Sequence, residues 1–479
     1  MSMDSSEHKH QHSPNRFAVI PTPVRLNANT EYTGKGVTIA FLDSGFYPHP
    51  DLIETRNRVI AYEDVAGERR DLLSTDPVEP WQWHGTQTSV VAAGDGRLSD
   101  AVYRGLAHES ELVLVKVSER GRITEENIAR GLRWVIANRE RYHIRLLNIS
   151  LGGDEDVPCS RSIIDQAAEE AISNGIVVVA AAGNSGNEGR HSIPPANSPS
   201  VITVGGYSDN NALGGNELDL YHSNFGVTTD GTVKPEVVAP AMWVAAPVLP
   251  GTAFYERAEA LSQLLAAPDY QLSGLAREKL QLPEELLVAG ADAIRRFLET
   301  SLNEQKIVAA HYQHVDGTSF AAPIVTSIVA QMLEANPQLT PHAIKNILIS
   351  TAGRIASAPA IRQGYGVVNA SRAVEAARVE QHALNGYRPR VTHGRLSFIY
   401  HDDAAKSVSV AGDFNGWNQH DAPLERNGSG LWSTEIVVPR GGRFQYKFIV
   451  DGQRWIEDPS NGMKAPDNFG GLNSLVVIE

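Results

Sequence analysis

Between residues 36 and about 377 the chain alternates short, β-branched apolar runs with stretches whose apolar residues return every three or four positions. This alternation restricts the region to a parallel sheet covered by helices. A strand buried on both faces shows no polar–apolar alternation, and Val37-Thr38-Ile39-Ala40-Phe41-Leu42 is such a run, as are 112–117, 146–150 and 176–180. The stretches Glu125–Asn138 and 162–174 have helical periodicity. Ligands of such sheets gather beyond the carboxyl ends of the strands, which is where Asp43 and Asn184 fall.

Four polar residues stand in distinctive local strings. They are Asp43 in Ile39-Ala40-Phe41-Leu42-Asp43-Ser44-Gly45, His84 in His84-Gly85-Thr86, Asn184 in Ala182-Gly183-Asn184, and Ser319 in Gly317-Thr318-Ser319-Phe320-Ala321-Ala322-Pro323. A hydroxyl is a poor nucleophile until a base takes its proton, and an imidazole base works best when a carboxylate fixes its tautomer. His84 and Ser319 are both expected to open helices, whose N-termini favour developing negative charge. Gly317, Ala321 and Ala322 permit close packing around the hydroxyl.

The order Asp, His, Ser is that of subtilisin. On these motifs the chain resembles the subtilisin-like serine peptidases over 36–377, with the stretch 252–309 left out. The resemblance implies that Ser319 attacks a peptide carbonyl, that His84 takes its proton and returns it to the leaving amine, and that Asp43 orients the ring. It also implies that Asn184 and the Ser319 amide hold the oxyanion. Within Asn148-Ile149-Ser150-Leu151-Gly152-Gly153 it assigns Ser150, Leu151, Gly152 and Gly153 to main-chain pairing with an extended peptide, a mode that demands little of sequence. Residues 118–121 are expected to line the opposite side. The strings 223–226 and 234–240 recur in that family as structural elements. Gln87 stands where the family often has His, outside the triad. The stretch 94–99 does not resemble the asparagine-rich calcium loop of secreted relatives, so no metal and no cofactor is expected.

Two stretches depart from the family pattern. Residues 252–309 insert helix-rich sequence before the Ser319 string, with a helix start at Pro283-Glu284-Glu285 and with Leu287, Ile294, Phe297, Leu298 and Leu302 on one face. Such an insertion either packs on the surface as a helical hairpin or acts as a lid or docking element beside the cleft. At the front, about 30 residues precede the first strand, fewer than an independent core needs. The apolar, proline-stiffened 17–23 either packs on the domain or lies in the substrate groove. His8, His10 and His12 are read as part of a solvated tail.

The balance of 42 Lys plus Arg against 56 Asp plus Glu gives a net charge of −14, which argues against nucleic acid or anionic membrane as partner. The lone Cys159, expected to be a packed small hydrophobe, cannot form an intramolecular disulfide and fits a reducing compartment. Residues 1–16 lack the apolar core of a signal peptide. A cytoplasmic location is therefore expected.

Beyond 377 the pattern changes to period two. The runs 396–400, 407–411, 432–438 and 444–450 alternate and are separated by Gly, Asn, Pro and Asp, which reads as an immunoglobulin-like β-sandwich. Its strings Gly412-Asp413-Phe414-Asn415-Gly416-Trp417, Tyr446-Lys447-Phe448-Ile449-Val450-Asp451-Gly452, Trp455, Asp458-Pro459 and Asn473-Ser474 resemble the glycogen-binding module of AMP-activated kinase beta subunits and of branching and debranching enzymes. That resemblance makes Trp417 and Trp455 the plates on which sugar rings stack, with Lys447 and Asn473 meeting hydroxyls. Phe469 stands where that family often has a threading leucine, and Gly471 replaces a hydroxyl residue. The competing reading packs both tryptophans in the sandwich and makes the module a brace.

The expected organisation is an extension over 1–30, an α/β protease domain over 31–380 with its helical insertion, a linker over 381–392 and a β-sandwich over 393–479. The expected activity is a serine endopeptidase with peptide substrates, targeted to glycogen or a related α-glucan. A non-catalytic glycogen-associated scaffold and an exported protease acting on starch-embedded protein are the alternatives.

Overall fold

The computed structural model describes residues 19–67, 71, 78–153, 157–186, 191–213, 218–379, 389–392, 395–427, 430–438, 442–461, 464–467, 469 and 471–478. Its centre is a parallel sheet of β1 (Thr38–Asp43), β2 (Val59–Asp64), β3 (Glu111–Lys116), β4 (Ile144–Ile149), β5 (Val177–Ala181), β6 (Ile202–Ser208) and β7 (Val237–Pro240). Across the sheet they run β7-β6-β5-β4-β1-β3-β2, with Asp219–Leu220 added antiparallel beside β6. The expected fold is the observed one.

Every residue of β1 is buried, and the pleat divides them between two cores. Ile39 and Phe41 face the layer that holds the helices Gln82–Ala93 and Thr318–Ala335, while Ala40 and Leu42 face the layer of Glu125–Asn138 and Ile163–Ser173. Burying a side chain such as Phe41 or Leu42 contributes about 1.5–3 kcal/mol, so the apolar run 39–42 secures β1 from both sides. Thr124 and Ser162 cap the latter two helices by accepting from the amides of Asn127 and Asp165.

The insertion is larger than a hairpin. It contains the helices Ala253–Ala266, Asp269–Leu280, Glu284–Val288 and Ala291–Glu304, packed around a core of their own that includes Leu261, Leu272, Leu287, Ile294, Leu298 and Leu302. Phe297 packs against that core from its edge. The strands Val244–Pro247 and Tyr312–Val315 pair antiparallel and form the neck of this packet. Tyr312 is fully buried and its hydroxyl donates to the buried Asp51 carboxylate, while Gln87 donates to the Pro247 carbonyl at 2.9 Å. The packet is thus tied to the body of the protease at its neck.

The described part of the N-terminal segment packs on the domain. Val19 is buried, the Ile20 amide donates to Asn211 Oδ1 at 2.8 Å, and Arg25 pairs with Asp209 at 3.2 Å while donating to the Met242 carbonyl at 2.8 Å and the Trp243 carbonyl at 3.0 Å. Phe17, Ala18, His8, His10 and His12 lie outside the described residues, as does 380–388 of the linker.

The C-terminal module begins earlier than expected, because the main chain of Arg390–Thr392 already pairs with Arg395–His401. A three-residue edge strand has too few positions to show alternation, which is why it read as linker. One sheet joins these strands to Leu431–Val437, and another sets Gly442–Val450 between Val408–Gly412 on one edge and Arg454–Ile456 with Leu472–Ile478 on the other. Leu396, Phe398, Tyr400, Trp432, Tyr446 and Phe448 fill the space between. The module docks on the protease: Leu472 packs with Val233 and Ala360, Lys464 Nζ stands 5.4 Å over the Tyr365 ring, and Arg354 Nη2 donates to both Glu457 oxygens at 2.9 and 2.8 Å.

Candidate active site and sugar-facing surface

Asp43 ends β1 and is almost wholly buried, held by donors chosen by the local fold. The Ser44 amide reaches Oδ1 at 2.7 Å and the Thr88 hydroxyl reaches Oδ2 at 3.1 Å. His84 lies in the first turn of Gln82–Ala93, and its Nδ1 meets Asp43 Oδ1 at 2.7 Å. The approach of helix to strand requires Gly85, where a Cβ would stand 2.3 Å from the Gly45 carbonyl oxygen and 2.9 Å from Asp43 Cβ. Burial pulls the His84 pKa down, but the Asp43 charge and hydrogen bond more than offset this, and the imidazole sits above its ordinary value. With Nδ1 engaged, Nε2 is the nitrogen left to act as base.

Ser319 follows Gly317 and Thr318 at the start of Thr318–Ala335, with Gly317 at φ 140°, a backbone angle that favours glycine. Its hydroxyl donates to the Ser150 carbonyl at 3.4 Å in this state. Ser150 Oγ in turn donates to the Ser319 carbonyl at 2.9 Å, so the nucleophile turn and the strand end at Ser150 brace each other. Asn184 is exposed beyond β5, and its Oδ1 accepts from the Thr318 amide and hydroxyl, each at 2.9 Å. That pairing fixes the side-chain amide so that the donor end, Nδ2, is turned away from Thr318. His222 Nδ1 bonds the Asn184 carbonyl at 2.6 Å and steadies the same residue from its main chain.

Of the expected peptide-pairing stretch, Leu151 and Gly152 are partly exposed. The Gly153 amide is taken by the Pro194 carbonyl at 2.8 Å, which leaves less of its main chain for a substrate. On the opposite side Ser118–Glu119 and Arg122–Ile123 form a short hairpin, and the Trp81 ring lies against Gly121. Trp83, 45% exposed, presents an edge-on contact to His84 with ring centroids 5.1 Å apart. The run Trp81-Gln82-Trp83 before His84 was the available signal for this aromatic rim.

Residues 34–368 match the subtilase family. The chain belongs to that family. It is similar to serine protease AprX of Bacillus subtilis (strain 168), with 32% identity over 354 residues, 71% of this chain and 67% of AprX. It is also similar to subtilisin E of the same organism, 34% identical over 200 residues, which are 40% of this chain and 47% of subtilisin E. Among solved structures, a protease of Pseudoalteromonas arctica superposes with a TM-score of 0.50 at 24% identity, covering 74% of this chain and 94% of that one, which supports the fold. The protein is a subtilisin-like serine protease.

Residues 396–479 of this subtilase match the glycogen recognition site of AMP-activated protein kinase. The two tryptophans expected to stack on sugar lie outside the module's apolar core and face each other, with ring centroids 6.4 Å apart and planes 30° apart. Trp417 Nε1 donates to Asp413 at 3.0 Å, and Trp455 is 44% exposed. This placement disagrees with the packing role. On the strand between them Lys447 pairs with Asp467 at 2.8 Å, and Asn473 donates to Gln445 Oε1 at 2.8 Å. Phe469 is 94% exposed.

Cys159 is partly buried, and burial together with Asp165, Glu169 and Asp230 pushes its thiol up to about 12, so it stays protonated and unreactive near neutrality.

Proposed function

We propose that this subtilase is an endopeptidase that cleaves peptide bonds through Ser319, His84 and Asp43 and is held on glycogen or a related α-glucan by Trp417 and Trp455. The observation that carries the catalytic part is the 2.7 Å bond between His84 Nδ1 and the buried Asp43 carboxylate, with Ser319 in the first turn of Thr318–Ala335. Rotation about the Ser319 Cα–Cβ bond takes its hydroxyl from the Ser150 carbonyl toward His84 Nε2, as free enzymes whose catalytic bonds tighten with substrate require. His84 then removes the proton as Oγ attacks, the Asn184 amide and Ser319 N–H receive the oxyanion, and the imidazolium protonates the leaving amine.

The targeting part rests on two tryptophans kept at the surface, where their apolar faces cost free energy unless a ligand covers them. Tethering raises the concentration of protease near other particle-bound proteins without altering the cleft. Peptide segments of such proteins are the natural substrates in this reading, and the reducing cytosol is the compartment that fits a lone cysteine. Two experiments test it. A fluorophosphonate probe labels the wild type and not Ser319→Ala; equal labelling rejects the nucleophile, and none in either favours the scaffold reading. Glycogen beads retain the wild type and not Trp417→Ala; equal recovery rejects the tether.

A further inference from the structure

Resting on the glucan reading above, we propose that the sugar-binding face of the module runs onto the protease domain and that Arg354 completes it, so that an α-glucan chain spans both domains. In the run Trp455 to Asp458, Ile456 packs against the sandwich core and Asp458 is buried beneath it, hydrogen-bonded to the Tyr446 hydroxyl. The strand ends at Ile456 and Glu457 follows directly, at most about 7 Å along the chain from the exposed Trp455. Glu457 is the residue that Arg354 grips.

Three observations support a composite site. Both hydrogen bonds to Glu457 come from one terminal nitrogen of Arg354, at 2.9 and 2.8 Å, so the pair fixes the guanidinium while its Nε and other terminal nitrogen remain as donors. The Arg354 side chain is 40% exposed although its partner is only 10% exposed, which sets it at the open rim of the domain boundary. The boundary is closed by the buried Leu472 against Ala360 and by the buried Lys464 over the Tyr365 ring, so Arg354 is held in place relative to Trp455.

The chemistry suits a polysaccharide. Sugar hydroxyls both donate and accept, and the guanidinium held by Glu457 offers its remaining N–H groups to their oxygens. The tryptophan plates take the apolar ring faces, and the ion pair meets the hydroxyl edge of the sugars that follow.

Chain length separates this proposal from a simple brace. In calorimetric titrations of the full chain, maltotriose is short enough to end on the plates, whereas maltoheptaose reaches past them. Wild type is expected to bind maltoheptaose more tightly; Arg354→Ala and Glu457→Gln lose about tenfold for maltoheptaose and nothing for maltotriose, equivalent to about 1.4 kcal/mol. Trp417→Ala loses both ligands. Unchanged maltoheptaose affinity in Arg354→Ala, or equal loss for both ligands, overturns the composite site while leaving the module reading intact. Failure of wild type to bind either sugar overturns both.

Discussion

A carboxylate buried without donors would be expelled or neutralised, so Asp43 can serve His84 only because Ser44 and Thr88 complete its shell. Asp43→Asn keeps the shape and loses the charge; it is expected to lower kcat by about 10⁴-fold, measured on a chromogenic peptide. The pH profile follows from the same pair. The His84 pKa is raised in the fold, and catalysis needs the neutral ring, so kcat/KM is expected to rise with pH through a midpoint above 6.5. In Asp43→Asn that midpoint moves down; a profile identical to the wild type contradicts the pairing. Asn184→Ala is expected to lower kcat by about 100- to 1,000-fold with little change in KM. Asp43, His84, Asn184 and Ser319 could be proposed from sequence because each stands in a contiguous string. Thr88, Thr318 and His222 could not, since their bonds join residues that only the folded chain makes neighbours.

Helices and strands were legible wherever one periodicity ran long enough. In Ala291–Glu304, Ile294, Leu298 and Leu302 recur at four-residue spacing and all are buried. Periodicity says that a face is buried and not against what, so a surface hairpin and an element beside the cleft were left as alternatives where four helices share a core. The Tyr312–Asp51 contact was equally hidden, for it joins residues 261 apart. Burial pushes the Asp51 carboxyl up to about 6. Tyr312→Phe removes one donor from it and is expected to cost about 1–3 kcal/mol, with a larger drop in Tm at pH 8, where Asp51 is ionised, than at pH 5. In the helix Ile163–Ser173, burial raises Asp165 to about 7. The folded state therefore favours its proton, and its stabilising contribution is full below about pH 4 and lost as pH rises through 7. The Tm of Asp165→Asn relative to wild type is expected to climb between pH 5 and pH 8; a constant difference contradicts the raised pKa.

Across the whole molecule, composition and period change marked two domains, and the shift from helical spacing to alternation near 377 lies close to the last protease helix, Ala370–Val379. How the domains dock was beyond reach, because Leu472, Ala360 and Val233 look like ordinary core residues of their own elements. The insertion has one further property. Its neck closes where the Val248 amide meets the His311 carbonyl at 2.9 Å, so the chain leaves the protease and returns to it within a single hydrogen-bonded pair. Closing so small a gap requires only a tight turn. Residues 249–310 therefore form a cassette in a socket: exchanging them for a two-residue turn is expected to preserve fluorophosphonate labelling of Ser319, and the same socket can receive an unrelated folded sequence whose ends lie side by side.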